Sequence, residues 1–216
     1  NSPDGTGDKL EQLAEKYSNI SVSHRKGKLG IGSAHVDGIN FAYNHSYRLL
    51  LTMDCDFSHS PSEINDFIKL AEQAEIVIGS RFIKKDSLKE WNFLRWSLTH
   101  LGHMATRLFL NIPYDASGAF RLYRLDKISR YFLDNIHSRG YSFFYESLYI
   151  LHLNEYRIAE IPVILPARVY GHSKMRIKDA IQSLLQLLII YFITKLNYGN
   201  FVIAEPINSD NKIIDT

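Results

Sequence analysis

At 216 residues, the chain is long enough for one sizeable hydrophobic core, or for one domain with an appendage. Its hydrophobic fraction of 45% is ordinary for a globular protein, and a net charge of only +2 argues against a nucleic-acid-binding protein with a dominant basic field. The single cysteine, Cys55, excludes an internal disulfide bond and indicates a reducing compartment.

The first part of the chain alternates predicted helices and strands. Residues 1–7 are rich in glycine and form a predicted turn, and a helix is expected over 8–17, where apolar residues recur on one face. Residues 19–24 alternate as a short strand does. A basic, glycine-rich loop over 25–33 then leads into a helix over 33–44. Backbone N–H groups at such a junction favour an anion, although a plain flexible loop fits the same pattern.

Two carboxylates follow the next predicted strand. Residues 49–53 are an uninterrupted apolar run, and Asp54 and Asp56 come directly after it. Because a buried strand cannot hold unpaired anions, both are expected at its exposed end, where ligands bind in open α/β sheets. Two hard oxygen ligands suit Mg²⁺ or Mn²⁺, with a diphosphate completing the shell. The alternative is one helix-capping aspartate beside a solvated one.

The middle of the chain continues the alternation. We expect a helix over 61–74, a strand over 75–79 that ends at Ser80 and Arg81, and a helix over 93–110. This order predicts an α/β fold with a mostly parallel sheet flanked by helices. His100 and His103 share a face of the last helix, but no third metal ligand accompanies them.

The second half ends in a predicted apolar helix. A short strand within 115–123, a helix near 125–135 and a helix from Phe143 precede a strand over 157–165, which Pro162 places at a sheet edge. The helix over 177–196 starts with basic residues and has an apolar middle. A core helix, a subunit contact and an interfacial helix on a membrane all fit it. No uninterrupted apolar run reaches the ~18–20 residues that span a bilayer.

Several motifs stand in a characteristic order. They are Asn1-Ser-Pro-Asp4-Gly-Thr-Gly, Lys28-Leu-Gly30-Ile-Gly32-Ser, Met53-Asp-Cys-Asp-Phe-Ser-His-Ser-Pro61, Gly79-Ser-Arg81-Phe, Ser117-Gly-Ala-Phe-Arg121, Gly140-Tyr-Ser-Phe143 with Glu146, Glu160-Ile-Pro162 and Arg168-x-x-Gly171-x-Ser173-Lys174. Over nearly all of residues 1–195, this set resembles the polyprenyl-phosphate sugar transferases of glycosyltransferase family 2, most closely the dolichyl-phosphate mannose synthases.

The resemblance implies a GT-A-like (Rossmann-like) fold and an inverting, metal-dependent enzyme. The donor is expected to be GDP-mannose, the acceptor a dolichyl-type polyprenyl phosphate, and the location the cytoplasmic face of a membrane, with peripheral attachment. The acceptor phosphate has a second pKa near 6, so it is already anionic at neutral pH and needs no general base. What such a site needs is positive charge to bring two anionic reactants together.

The resemblance also implies residue roles. Asp54, Asp56 and Arg81 are the expected catalytic residues, and Asp54 and Asp56 hold Mg²⁺ or Mn²⁺. Donor binding falls to Asp4, Lys28, Gly30, Asp54 and Asp56. Acceptor-phosphate binding falls to Arg81, Arg95, Arg168 and Lys174, although a surface salt bridge is the alternative for each arginine.

Three departures from the family pattern affect these expectations. Family members open with a strand and two acidic residues before the Asn-Ser-Pro-Asp motif, so a first strand and a nucleotide-binding aspartate are expected to be missing here. The expected organisation is an N-terminally incomplete catalytic domain over 1–175, an amphipathic helix over 176–196 and a tail over 197–216. Residues 83–88 replace a Gly-Gly segment, and a Ser-Arg-x-x-Asn motif becomes Thr99-His100-Leu-Gly-His103.

Two other functions fit the sequence. One is a family 2 transferase that uses another sugar, such as glucose, or a saccharide acceptor. A saccharide hydroxyl needs a general base, for which Asp115 is the only hint. The other is a non-catalytic fragment of such an enzyme.

Overall fold

The computed structural model describes residues 2, 4–88, 91, 93–166 and 177–203, without the side chain of Ile177. The chain divides into two compact units, residues 1–30 and 31–216.

The N-terminal unit contains one helix, α1 (Thr6–Lys16), which begins after Gly5 in the left-handed conformation with φ 76°. Its first turn carries Asp8 and its last turn Lys16, which complement the helix dipole. Residues 18–30 contain no helix or strand, so the strand predicted over 19–24 is wrong. A strand needs a partner for its backbone groups, and the described residues of this unit provide no second strand.

The second unit contains the other α-helices and all strands that the structure describes. They are α2 (Ile31–Asn44), β1 (Leu49–Thr52), α3 (Ile64–Leu70), β2 (Ile76–Ser80), α4 (Phe93–Leu110), β3 (Arg121–Arg124), α5 (Phe143–Leu153), β4 (Ile158–Pro162) and α6 (Ile177–Leu196). The α-helix predicted over 125–135 is wrong. Lys127 and Ile128 both donate to the carbonyl of Arg124, which closes a turn, and only a short 3₁₀ helix, Arg130–Asn135, follows.

The strands form one sheet in the order β1-β3-β2-β4. β2 pairs with β4 in parallel, whereas β3 is antiparallel to both β1 and β2. The α/β class and the flanking helices are therefore confirmed, but the sheet is mixed rather than mostly parallel. The reason is that the turn before β3 returns the chain into the sheet from the carboxyl ends of β1 and β2. β4 lies at an edge, as Pro162 predicts.

The sheet is covered on both faces. On one face, α5 is central, because residues 143–151 are all buried, and α2 and α6 contribute Ile39 and Leu187 to the same core. On the other face, α3 contributes Phe67, which packs with Val77 and Leu122. Loops with polar residues follow the carboxyl ends of β1 and β2.

The C-terminal helix is apolar and exposed. By length and composition alone, Lys178–Leu196 is able to cross a membrane, and only 11% of that window is buried. Gln186 and Thr194 interrupt this window, so the prediction that no uninterrupted apolar run reaches this length holds.

Candidate active site

The loop after β1 carries the predicted metal-binding carboxylates, and its own hydrogen bonds fix its shape. The backbone N–H of Asp54 donates to Nδ1 of His59 at 2.8 Å. Oδ1 of Asp56 accepts from the backbone N–H of Ser58 at 3.1 Å and from the Ser58 hydroxyl at 2.5 Å. Asp54 and Asp56 therefore lie at the carboxyl end of β1, in a loop that is held by hydrogen bonds between its own residues.

His59 anchors this loop to the core. Its ring is buried and stacks on Phe120 with 4.8 Å between centroids. Burial lowers the pKa of His59, although the charges of Asp54 and Asp56 act in the opposite direction. Because Nδ1 accepts a hydrogen bond, the proton of the neutral ring resides on Nε2. The sequence motif contained this histidine, but we assigned it no role.

At the carboxyl end of β2, Arg81 is paired with Asp115. Oδ2 of Asp115 accepts from Nε of Arg81 at 2.7 Å and from its backbone N–H at 3.0 Å, while Oδ1 accepts from Nη2 at 2.6 Å. The Asp115 side chain is completely buried and that of Arg81 is 10% exposed. Burial alone raises the pKa of Asp115, but the Arg81 guanidinium and the hydrogen bonds outweigh it and lower that pKa.

This pair belongs to a larger polar network. Nη2 of Arg81 also donates to the Ser117 hydroxyl at 2.5 Å, and the backbone N–H of Asp115 donates to Oε1 of Glu160 at 2.7 Å. Burial raises the pKa of Glu160, and the charge of Asp115 adds to that increase. Sequence reasoning considered Asp115 only as a base and gave Glu160 no role. No local signal revealed the pairing, because Arg81 and Asp115 are far apart in the chain.

Of the other predicted acceptor-binding residues, the structure describes only Arg95. The guanidinium of Arg95, on α4, lies 3.5 Å from the centroid of the Trp91 ring, and Trp91 itself donates from Nε1 to the carbonyl of Leu165 at 3.2 Å. Arg168 and Lys174 lie outside the described residues. His103, which is also on α4, stacks on Phe82 with 3.9 Å between ring centroids.

Three predicted donor residues belong to the N-terminal unit. Asp4 accepts hydrogen bonds from Thr6 through Oδ1, and Lys28 is exposed. Gly30 has a φ of 95°, a conformation that L side chains rarely adopt, and its carbonyl accepts from Arg25 at 3.2 Å. Their part in donor binding stays a prediction.

The predicted metal site has only carboxylates from the loop after β1. Among the described residues, no three His, Cys, Asp or Glu side chains come together as a metal cluster. Two carboxylates still fit Mg²⁺ or Mn²⁺, because Mg²⁺ commonly binds through one or two carboxylates together with substrate phosphates. The residues present are therefore compatible with a metal that the donor helps to hold.

Comparison with known proteins decides the family. The sequence profile named Glycosyl transferase family 2 matches residues 1–132. The chain belongs to this family. An undecaprenyl-phosphate mannosyltransferase of Micrococcus luteus is 32% identical over 175 residues, which cover 81% of this chain and 72% of the relative. A polyprenol monophosphomannose synthase of Mycolicibacterium smegmatis is 29% identical over 177 residues, covering 81% and 67% respectively.

The protein is accordingly a glycosyltransferase. In this family 2 enzyme, two strands on either side of β3 carry opposite charges at their carboxyl ends. The carboxylates follow β1, and the arginine follows β2. The geometry thus separates a candidate cation-binding loop from a fixed guanidinium.

Proposed function

We propose that this glycosyltransferase transfers mannose from GDP-mannose to a polyprenyl phosphate. The observation that carries the proposal is the similarity to two relatives whose names specify mannose transfer to lipid phosphates, each covering 81% of the chain. The donor nucleotide, the metal requirement and inversion at the sugar remain parts of the proposal.

The state of Asp115 supports an acceptor that is already anionic. A saccharide hydroxyl needs a general base, and Asp115 was the candidate for that role. It is fully buried and paired with Arg81, and its lowered pKa makes it a weak base. A lipid monophosphate needs no proton removed at neutral pH, because its second pKa is near 6.

The loop after β1 and the arginine after β2 then have separate roles. Asp54 and Asp56 would hold Mg²⁺ or Mn²⁺, which supplies Lewis-acid stabilisation of the leaving diphosphate. Arg81 keeps a fixed orientation, because Asp115 and Ser117 take three of its N–H donors, on Nε and Nη2. We assign its remaining Nη1 donors to the acceptor phosphate, with Arg95, Arg168 and Lys174 as further cations. Direct displacement by the phosphate oxygen inverts the anomeric centre.

The C-terminal helix supports access to a lipid acceptor. Leu184, Leu185 and Phe192 of α6 are each more than half exposed. Lys178 and Lys195 stand near the two ends of the helix, an arrangement that suits a helix lying at the surface of an anionic bilayer. We propose peripheral attachment at the cytoplasmic face.

A transfer assay tests the proposal. We expect labelled mannose to move from GDP-mannose to a polyprenyl phosphate in the presence of Mn²⁺. Free polyprenol, which lacks the phosphate, is the matched acceptor control, and UDP-glucose is the matched donor control. Equal transfer to free polyprenol would refute the acceptor assignment, and preference for UDP-glucose would refute the donor assignment.

A further inference from the structure

Arg121 is a completely buried arginine at the end of the sheet that carries the site. It is the first residue of β3, and its side chain is among the largest that are fully buried. The strand register places it opposite Thr52 of β1 and Ile78 of β2. Arg121 therefore lies in the sheet between the strand ends that lead to Asp54 and to Arg81.

The hydrogen-bond partners of Arg121 are all neutral. Nε donates to the carbonyl of Gly118 at 2.8 Å and Nη2 to the carbonyl of Ala116 at 2.8 Å. Nη1 donates to the hydroxyl of Ser147 on α5 at 3.3 Å, and the guanidinium lies 5.4 Å from the centroid of the Phe144 ring. Among the described residues, no carboxylate forms an ion pair with Arg121. Burying a charge without a counter-charge is costly, so we expect the contacts of Arg121 to have a structural or functional role.

The two carbonyls belong to the turn that holds Arg81. Asp115 and Ser117 bind Arg81 through their side chains, and the intervening Ala116, together with Gly118, binds Arg121 through its carbonyl. One turn is thus shared by two arginines. Because a planar guanidinium donates in a rigid fork, Arg121 fixes the relative orientation of the two carbonyls, and with it the direction of the side chains between them.

We propose that Arg121 is a positioning residue for sugar transfer: it fixes the 115–118 turn so that Asp115 and Ser117 present Arg81 to the acceptor phosphate. This inference rests on the proposed role of Arg81 in acceptor binding. A lysine at position 121 keeps the positive charge but cannot bridge two carbonyls with the same planar geometry.

Kinetics of Arg121→Lys test the positioning role. We expect the KM for polyprenyl phosphate to rise roughly tenfold, equivalent to ~1.4 kcal/mol, while the dissociation constant of GDP-mannose is unchanged. Arg124→Lys is the matched control, because Arg124 is on the same strand but binds Asp126 and the carbonyl of Ala71. The control should leave the acceptor KM at the wild-type value.

A double-mutant cycle separates positioning from a general structural effect. If Arg121 acts through Arg81, Arg121→Lys should add little to the acceptor KM of Arg81→Lys, because residues that act through one another are not additive. Additive effects, an equal loss of donor affinity, or a wild-type KM in Arg121→Lys would overturn the proposal. Should Arg121→Lys fail to fold, Arg121→Gln carries the same cycle, since its amide retains a donor.

A second readout needs no substrate and keeps this inference distinct from the proposed function. In the wild type, the Nε–H of Arg81 should give a slowly exchanging NMR signal, because it is buried and bonded to Asp115. Arg121→Lys should accelerate that exchange, whereas Arg124→Lys should not. If the wild type fails to transfer mannose but the exchange result is as expected, the proposed function is refuted, while the positioning of Arg81 by Arg121 stands. If Arg121→Lys leaves the exchange unchanged, the positioning role is refuted.

Discussion

The carboxylate of Asp115 receives two parallel hydrogen bonds from the guanidinium of Arg81, at 2.7 Å from Nε and 2.6 Å from Nη2. The pair joins the carboxyl end of β2 to the turn that precedes β3. It removes Asp115 from the candidates for a general base and gives Arg81 one orientation. The same contact thus bears on stability and on the proposed role of Arg81 in acceptor binding.

Replacing one member of this pair should be strongly destabilising. Asp115→Asn leaves the nearly buried Arg81 without its counter-charge, and we expect a loss of roughly 3–5 kcal/mol in the free energy of unfolding, measured in urea. Asp126→Asn, which breaks the more exposed pair with Arg124, is the control and should cost much less. Equal losses in the two variants would contradict a structural role for the Asp115 pair.

The carboxylates after β1 should control metal-dependent donor binding. Asp56→Asn retains an oxygen acceptor for Ser58 but removes the negative charge, so the loop is preserved while the metal ligand is weakened. We expect calorimetry to show loss of Mn²⁺-dependent GDP-mannose binding, and transfer to fall at least ~100-fold, equivalent to ~3 kcal/mol. Cys55→Ser, at the exposed position between the two aspartates, is the control. Full activity in Asp56→Asn would reject the metal assignment.

His35 should make the folded state sensitive to acid. Its ring packs against Phe143 and Phe144, with centroid distances of 5.3 and 5.0 Å. Burial, helped by the positive charge of Arg121, lowers the pKa of His35 from 6.5 to about 4. The unfolded chain therefore binds a proton first as the pH falls, and the stability contribution that is complete above about pH 6.5 is lost between 6.5 and 4.

Denaturation at several pH values measures this contribution. We expect His35 to account for a fall on the order of 2–3 kcal/mol in the free energy of unfolding between pH 7 and pH 4. His35→Gln should flatten the pH dependence by that amount. Identical profiles for wild type and His35→Gln would show that His35 is not the group responsible.

Two glycines of α2 should respond oppositely to alanine. A Cβ at Gly32 would lie 2.6 Å from Cβ of Phe143 and 2.8 Å from the carbonyl oxygen of Gly140, whereas a Cβ at Gly38 meets nothing within 4 Å. Gly32→Ala should destabilise by roughly 1–3 kcal/mol, because backbone must move. Gly38→Ala should stabilise by up to about 1 kcal/mol through helix propensity. Thermal unfolding decides, and changes of the same sign would contradict the close approach at Gly32.

The exposed side of α6 should determine membrane attachment. Leu184→Ser with Phe192→Ser removes two large apolar side chains that are 51% and 59% exposed, so flotation with anionic liposomes should fall at least ~10-fold. Ile68→Ser, on α3, is the control because Ile68 is also apolar and 42% exposed. Absence of wild-type flotation with both neutral and anionic liposomes would refute peripheral attachment through this helix.

Local patterns determined much of the fold. The predicted bounds of α4 and α6 are confirmed, and β1 follows from a continuous apolar run, because these signals depend on residues close in sequence. The position of Asp54 and Asp56 at a strand end follows in the same way. The order of the sequence motifs along the chain also supported the resemblance to glycosyltransferase family 2, and the family comparison confirmed it.

Tertiary structure alone decided the direction of β3, the pairing of Arg81 with Asp115 and the burial of Arg121. Each joins residues that are distant in sequence, and nothing in a local period specifies which distant carboxylate an arginine meets or which way a strand enters a sheet. Packing decides them, because a buried charge or strand edge must find partners wherever the completed core provides them.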